Sequence, residues 1–253
     1  MEQYGICHLP LAPLRANPDD TSEMVSQILF GQTFYILDDS NQKWTLIRNR
    51  NDQYQGYIGS KQYQPISYDE FEHLNRHSQT VNTHGVRITQ SDKEINFEIP
   101  LGSILPTEES FRFGNKSFQH HYTAADTTLL LTARSFLNAP YLWGGKSIFG
   151  IDCSGFTQTV FSAHGITLPR DASQQATVGT AVPDLDQAQP YDLAFFHNGK
   201  GRIIHVGIIL ENSQIIHASG CVRIDRIDEK GIFNEEIGQY THSLAAIRRF
   251  YMT

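Results

Sequence analysis

Tyr141-Leu142-Trp143-Gly144-Gly145-Lys146-Ser147-Ile148-Phe149-Gly150-Ile151-Asp152-Cys153-Ser154-Gly155-Phe156 is the stretch on which the reading of this chain turns. Three glycines precede a cysteine that opens a run of helical spacing. Phe156, Val160 and Phe161 fall on its inward side, and Gly165 is the C-terminal stop. A thiol at a helix N-terminus feels the positive end of the macrodipole, which favours thiolate. The same exposed N–H groups suit a developing oxyanion. From these residues alone two readings of Cys153 stand: an activated nucleophile, or an inert buried thiol of the kind most lone cysteines are.

Downstream, His205 and His217 lie inside two adjacent apolar runs, Ile203–Leu210 and Gln214–Ala218. An imidazole among Ile and Val in a strand needs a polar partner or a task. Parity constrains the pair. A three-residue loop Glu211-Asn212-Ser213 pairs Leu210 with Gln214 and Gly207 with His217, which puts both histidines on one face as diagonal neighbours. A two-residue loop puts them on opposite faces. The odd-length loop or a bulge is therefore expected, and Gly207 leaves open the space opposite His217. Further strands are expected at Leu193–Phe196 and Ala245–Arg249.

Upstream, Leu129, Leu130, Ala133, Phe136 and Leu137 repeat at helical spacing after Asp126 or Thr127 as N-cap. Before them the pattern is β. Val25–Phe30, Thr33–Leu37 and Trp44–Ile47 are separated by turn residues, as in a small barrel over 1–66. Residues 67–122 are expected to form a second, shorter all-β barrel, with Phe111-Arg112-Phe113 and Ser117-Phe118 pairing across Gly114-Asn115. Residues 123–253 then form an α+β domain, helices first and strands after.

The 253 residues carry a formal net charge of −7, with 40% hydrophobic and 19% charged residues. That composition gives a globular chain, and no stretch mixes clustered Lys and Arg with aromatics, which argues against nucleic acid. No run approaches the roughly 18 apolar residues of a membrane span. The start at Met1 shows neither a basic nor an apolar leader region, so the expectation is a cytoplasmic protein. Cys7, Cys153 and Cys221 are an odd, sparse set, neither a disulfide framework nor a zinc cluster. No His-Glu-x-x-His helix occurs, and His120-His121 has no ligand set beside it, so neither metal nor cofactor is implied.

Six blocks taken together resemble the NlpC family of cell-wall cysteine peptidases. They are Tyr141–Gly145, Gly150–Gly155, Leu168-Pro169-Arg170-Asp171-Ala172-Ser173-Gln174, Asp192–Phe196, His205–Ile208 and Ile216–Ala218, in the family's order across about 124–250. Pro13-Leu14-Arg15, Glu23-Met24-Val25, Trp44 and Gly56-Tyr57-Ile58 resemble a bacterial SH3-like domain. The resemblance implies a papain-like α+β fold behind one or two SH3-like barrels. It implies Cys153 as nucleophile, His205 as base, His217 as the group orienting it, and Tyr141 beside the oxyanion. One departure stands out: Tyr191 precedes Asp192 where the family has Gly, which puts the local turn in question.

The arrangement resembles, more narrowly, the peptidases that cut between γ-D-glutamate and an L-diamino acid, diaminopimelate or lysine, in peptides with a free N-terminal L-Ala. On that resemblance Asp152, Glu23 and Tyr57 grip the amine in a closed pocket, with Ser173 and Ser154 on the substrate side. For Ser154 the alternative is a cap on the helix of Cys153. The expected partner is a small wall-derived peptide, with no protein partner implied. Three functions compete: recycling of free wall peptides, exported hydrolysis of intact wall, and non-catalytic wall-peptide binding. Amide or acyl transfer on the same fold is a minor fourth.

Overall fold

Turn-separated runs of β-branched and aromatic residues make the first 66 residues strands, and the computed structural model, which describes residues 2–250, shows how they pair. The chain divides into two units, Met1–Asp126 and Thr127–Thr253. In the first, β1 (Gln3–Cys7), β2 (Leu11–Arg15), β3 (Met24–Leu29), β4 (Thr33–Asp38), β5 (Trp44–Asn49), β6 (Gln55–Gly59) and β7 (Tyr63–Ile66) form one antiparallel sheet. Its order is β3-β2-β6-β5-β4-β1-β7. Alternation places Ala12 and Leu14 of β2 inward, against Ile28, Ile47 and Ile58.

Residues 67–122, expected as a second, shorter all-β barrel, contain a helix besides their strands. They begin with α1 (Tyr68–Arg76), set by a capping box in which Ser67 Oγ accepts from the Glu70 N–H at 3.2 Å and Glu70 Oε2 accepts from the Ser67 N–H at 2.8 Å. There follow β8 (Ser78–Thr80), β9 (Val86–Gln90), β10 (Ile95–Ile99), β11 (Ile104–Pro106), β12 (Ser110–Phe113) and β13 (Lys116–Gln119). They pair as a four-stranded sheet, β10-β9-β13-β12, and a two-stranded one, β11-β8. Phe113 pairs with Lys116 across Gly114-Asn115. The segment shares its core with the barrel, since Phe30, Ile6 and Ile66 pack in one cluster with Phe71, Phe113 and Phe118.

The second unit begins with α2 (Leu129–Arg134). Its N-cap is Thr128, whose hydroxyl accepts from the Leu131 N–H at 3.3 Å; neither Asp126 nor Thr127 takes that place. Then come β14 (Lys146–Ser147), β15 (Gly150–Ile151), α3 (Cys153–Ser162) and α4 (Ala172–Gln175). Residues Cys153 to Phe161 are all buried, so α3 is a fully enclosed helix and not the one-sided helix its spacing suggested.

The strands are β16 (Thr180–Val182), β17 (Leu193–His197), β18 (Ile203–Ile209), β19 (Gln214–Ser219), β20 (Cys221–Asp228), β21 (Gly231–Asn234) and β22 (Gln239–Arg249). They run β16-β22-β17-β18-β19-β20-β21, and β22 also pairs with β21, so the sheet returns on itself. β22 is long enough to serve both neighbours, with Gln239–Ser243 facing β21 and Ser243–Arg248 facing β17.

Tyr191 stands at φ 80°, in the left-handed region that its glycine counterpart would enter without strain. Its N–H still reaches Ile209 O at 2.9 Å, so the turn into β17 is made at the cost of backbone strain. Tyr191→Gly is expected to stabilise the protein by about 0.5–1 kcal/mol, after allowing for the lost contacts of the half-buried ring. Urea unfolding checks this, and a loss of stability would show that the ring's packing outweighs the strain.

Candidate active site

The nucleophile candidate is placed by its helix. Asp152 is the N-cap of α3, and its Oδ1 accepts from the Gly155 N–H at 2.6 Å. A side chain at position 155 would run into the Gly145 carbonyl oxygen, so glycine is what lets the 144–145 turn lie against the helix start. Gly144 N–H donates to Asp152 Oδ2 at 2.8 Å. Arg170, 1% exposed, forks onto both carboxylate oxygens at 3.0 and 2.6 Å, and its Nη1 reaches Ser154 Oγ at 2.9 Å. Gln175 ties the same corner together, donating to Ser154 O and Pro169 O at 3.1 and 2.8 Å.

Asp152 and Ser154 were expected on the substrate. A shared hydrogen-bond network fixes both side chains beside Cys153. Gly144, Gly155, Arg170 and Ser154 all direct donors at the Asp152 carboxylate, which fixes its orientation at the helix start. Both side chains build the support beneath Cys153.

The histidines meet as parity requires. Gly207 faces His217 and Leu210 N–H bonds Gln214 O at 2.8 Å, which makes Glu211-Asn212-Ser213 the three-residue loop. A Cβ on Gly207 would lie 2.8 Å from the His217 Cβ. His205 Nε2 and His217 Nδ1 are 2.8 Å apart, with ring planes at 86°. Both residues are buried.

The electrostatics run against the simplest reading of the helix dipole. Burial is the main reason the Cys153 thiol is pushed up to about 12, and Asp152 adds to it. Backbone hydrogen bonds from Val206 and Ser154, and the charge of Arg170, act the other way without prevailing. Burial also holds the His205 imidazole well below its ordinary 6.5, with His217 and His242 contributing. The resting pair is a neutral thiol and a neutral imidazole, contrary to the thiolate expected from the macrodipole alone. The Tyr141 phenol, pushed up to about 12 chiefly by burial and then by Cys153 and Asp152, keeps its proton as a donor.

Residues 138–240 match the NlpC/P60 family model, and residues 14–62 the bacterial dipeptidyl-peptidase Sh3 domain. The chain carries an NlpC/P60 domain behind a bacterial SH3 domain. The gamma-D-glutamyl-L-lysine dipeptidyl-peptidase of Bacillus cereus is 41% identical over 121 residues, covering 46% of this chain and 36% of the relative. The Bacillus subtilis protein of that name is 41% identical over 135 residues, covering 53% of this chain and 43% of its own length. The match thus spans less than half of either relative. In fold, an NlpC/P60 family protein from Bacillus cereus superposes with a TM-score of 0.79 at 24% identity, over 99% of this chain and 100% of that one.

Within the NlpC/P60 domain, Ser173 is exposed on α4. Glu23 and Tyr57 belong to the other unit: Glu23 is exposed ahead of β3, and Tyr57 is half-buried on β6 opposite Arg15. Among the described residues no group of three His, Cys, Asp or Glu is disposed to hold a metal ion.

Four residues of the domain were not anticipated. Arg170 lay within a quoted block, but nothing in sequence distinguishes a buried arginine from a solvated one. Asp225 accepts from His217 Nε2 at 3.0 Å and is clamped by Arg223 at 2.8 and 3.0 Å. His242 stacks on His205 with centroids 4.1 Å apart and planes at 24°. It comes from β22, far away in sequence, and burial holds its pKa down at about 4. The signal for Asp225 and Arg223 was the alternation of Arg223-Ile224-Asp225-Arg226 as a strand.

Proposed function

We propose that the chain is a cysteine peptidase of papain-like chemistry that hydrolyses the γ-D-glutamyl–L-diamino acid amide of wall-derived peptides with a free N-terminal L-Ala. The observation that carries this reading is the pairing of a buried cysteine at a helix N-terminus with a 2.8 Å histidine couple on the two strands packed against that helix. Cys153 Sγ attacks the amide carbonyl carbon as its proton passes to His205, so the charged pair exists only as the reaction proceeds. His205 then gives that proton to the departing amine. The resulting thioester is cleaved by water, whose proton returns through the same imidazole. The N–H groups at the start of α3 and the Tyr141 hydroxyl face the developing oxyanion.

The names of the Bacillus relatives support the substrate class, and the description of the Sh3 domain supports dipeptide release. Removing two residues from one end requires recognition of that end, and an ammonium leaving water needs acidic partners. Asp152, Glu23 and Tyr57 are the proposed amine contacts, with Ser173 and Ser154 on the substrate side, and the setting is recycling of free wall peptides. The test is hydrolysis of L-Ala-γ-D-Glu-L-Lys and its diaminopimelate analogue beside their N-acetylated twins. Blocking the amine is expected to lower kcat/KM about a hundredfold or more. Equal cleavage of free and blocked peptides would replace this reading with an endopeptidase acting within intact wall stems.

A further inference from the structure

Two imidazoles in line can relay orientation in either of two directions, and nothing in the pair itself decides which. The couple His205 Nε2 to His217 Nδ1 needs one proton between the two nitrogens, and either ring can supply it. If His217 Nδ1 carries the proton, His205 Nε2 is an acceptor. A neutral His205 then bears its own proton on Nδ1 and has no lone pair left with which to act as a base. The reverse arrangement leaves Nδ1 of His205 as an acceptor. The choice is made at the far end of the relay.

There the chain places Asp225, on β20, diagonal to His217 across the β19–β20 ladder, where Ile215 faces Asp225 and His217 faces Arg223. Asp225 is buried, and its Oδ2 lies 3.0 Å from His217 Nε2. Arg223 holds the carboxylate from the other side, Nε to Oδ2 at 2.8 Å and Nη2 to Oδ1 at 3.0 Å. Arg223 is itself tethered to Glu236 at 3.0 Å. Burial works against ionisation of Asp225, but the hydrogen bonds from His217 and Arg223 outweigh it and hold its pKa below the ordinary value. A carboxylate only accepts, so the proton in the Asp225–His217 bond belongs to His217 Nε2. Among the described residues, His242 on β22 is the further titratable group seen against the relay, stacked on His205 and 5.9 Å from His217.

We infer that Asp225, locked by Arg223, is a positioning residue that fixes the tautomers of both histidines, keeping protons on Nε2 of His217 and Nε2 of His205 and so leaving His205 Nδ1 as the base. The inference rests on the proposed cysteine-peptidase reading for its purpose, but not for its test. A neutral histidine has one proton, so fixing the outer nitrogen of His217 fixes its inner one as an acceptor. That in turn requires His205 Nε2–H to donate inward. The same logic explains why Arg223 is spent on a buried carboxylate rather than left in solvent: it restrains the carboxylate's rotation and keeps it ionised.

The test is a long-range proton–nitrogen spectrum of the full chain labelled with 15N-histidine at pH 8, assigned with His205→Gln and His217→Gln variants. Both rings are expected as the Nε2–H tautomer. Either ring as the Nδ1–H tautomer, or His217 carrying two protons, overturns the inference. Asp225→Ala is expected to leave His217 as a mixture of tautomers and to lower kcat about 10–100-fold, as when the partner orienting a histidine's far nitrogen is removed. KM is expected to stay within about twofold, because the substrate is not touched. Unchanged spectra and kcat in a folded Asp225→Ala protein would also overturn it. If that variant does not fold, the wild-type spectrum decides alone. Because the spectrum needs no substrate, failure to cleave wall peptides would remove the proposed function without touching this result.

Discussion

Cys153→Ala is expected to abolish hydrolysis of L-Ala-γ-D-Glu-L-Lys, by about ten thousandfold or more in kcat, with substrate binding retained. The size follows from the mechanism: without the sulfur no thioester forms, and the histidine couple has no proton to accept. The thiol's environment adds a pH signature. Burial pushes Cys153 up to about 12 and holds His205 well below 6.5. At neutral pH the thiolate is a trace species, so alkylation of Cys153 by iodoacetamide should climb about tenfold per pH unit above 7, with no plateau below pH 9. Catalysis needs neutral His205, so kcat is lost only as pH falls through the lowered imidazole value and stays level across pH 6.5. Folding stability follows the same sign for this group. The neutral buried imidazole contributes stability present above 6.5, which declines as pH falls toward the folded-state value. Alkylation that levels off near pH 6–7, located on Cys153 by peptide mass mapping, would instead reveal a preformed thiolate–imidazolium pair and sink this account of the resting state.

Sequence disclosed most about this chain where local geometry is forced. The Gly207–His217 register followed from counting residues in one loop, because strand side chains alternate with period two and a one-residue slip reverses the face. The start of α3 at Cys153 followed from the helical spacing of Phe156, Val160 and Phe161 ahead of Gly165. Legibility failed where a long-range partner decides. The Asp152–Arg170 pair was not legible, because Arg170 lies 18 residues away and meets both carboxylate oxygens only in the folded corner. His242 reaches His205 only because β22 returns to close the sheet, a pairing that no local pattern encodes. The helix α1 was legible in principle, since Ser67-x-x-Glu70 is a capping box, but its few apolar residues were outweighed by the β pattern on either side.

Arg170→Met should be the most damaging substitution for stability, costing about 3–5 kcal/mol in urea unfolding, because it strips the counter-charge from a carboxylate that stays buried. Asp152 is 4% exposed and would keep only the Gly144 and Gly155 N–H groups and the Ser154 hydroxyl. Two neutral backbone donors and a hydroxyl do not replace a guanidinium fork held at 2.6 and 3.0 Å. A second consequence falls on the chemistry. Asp152 raises the Cys153 thiol and Arg170 lowers it, so removing the arginine leaves the raising charge unopposed and should make the thiol harder to deprotonate. The partner variant separates the two effects. Asp152→Asn combined with Arg170→Met removes both charges, and it is expected to recover a large part of the stability lost by Arg170→Met alone. A double variant less destabilised than the sum of its two single variants by at least about 1 kcal/mol would mark the pair as coupled support for the nucleophile. If Arg170→Met unfolds within about 1 kcal/mol of wild type, the corner relaxes or admits water, and the guanidinium is not what holds Asp152 in place.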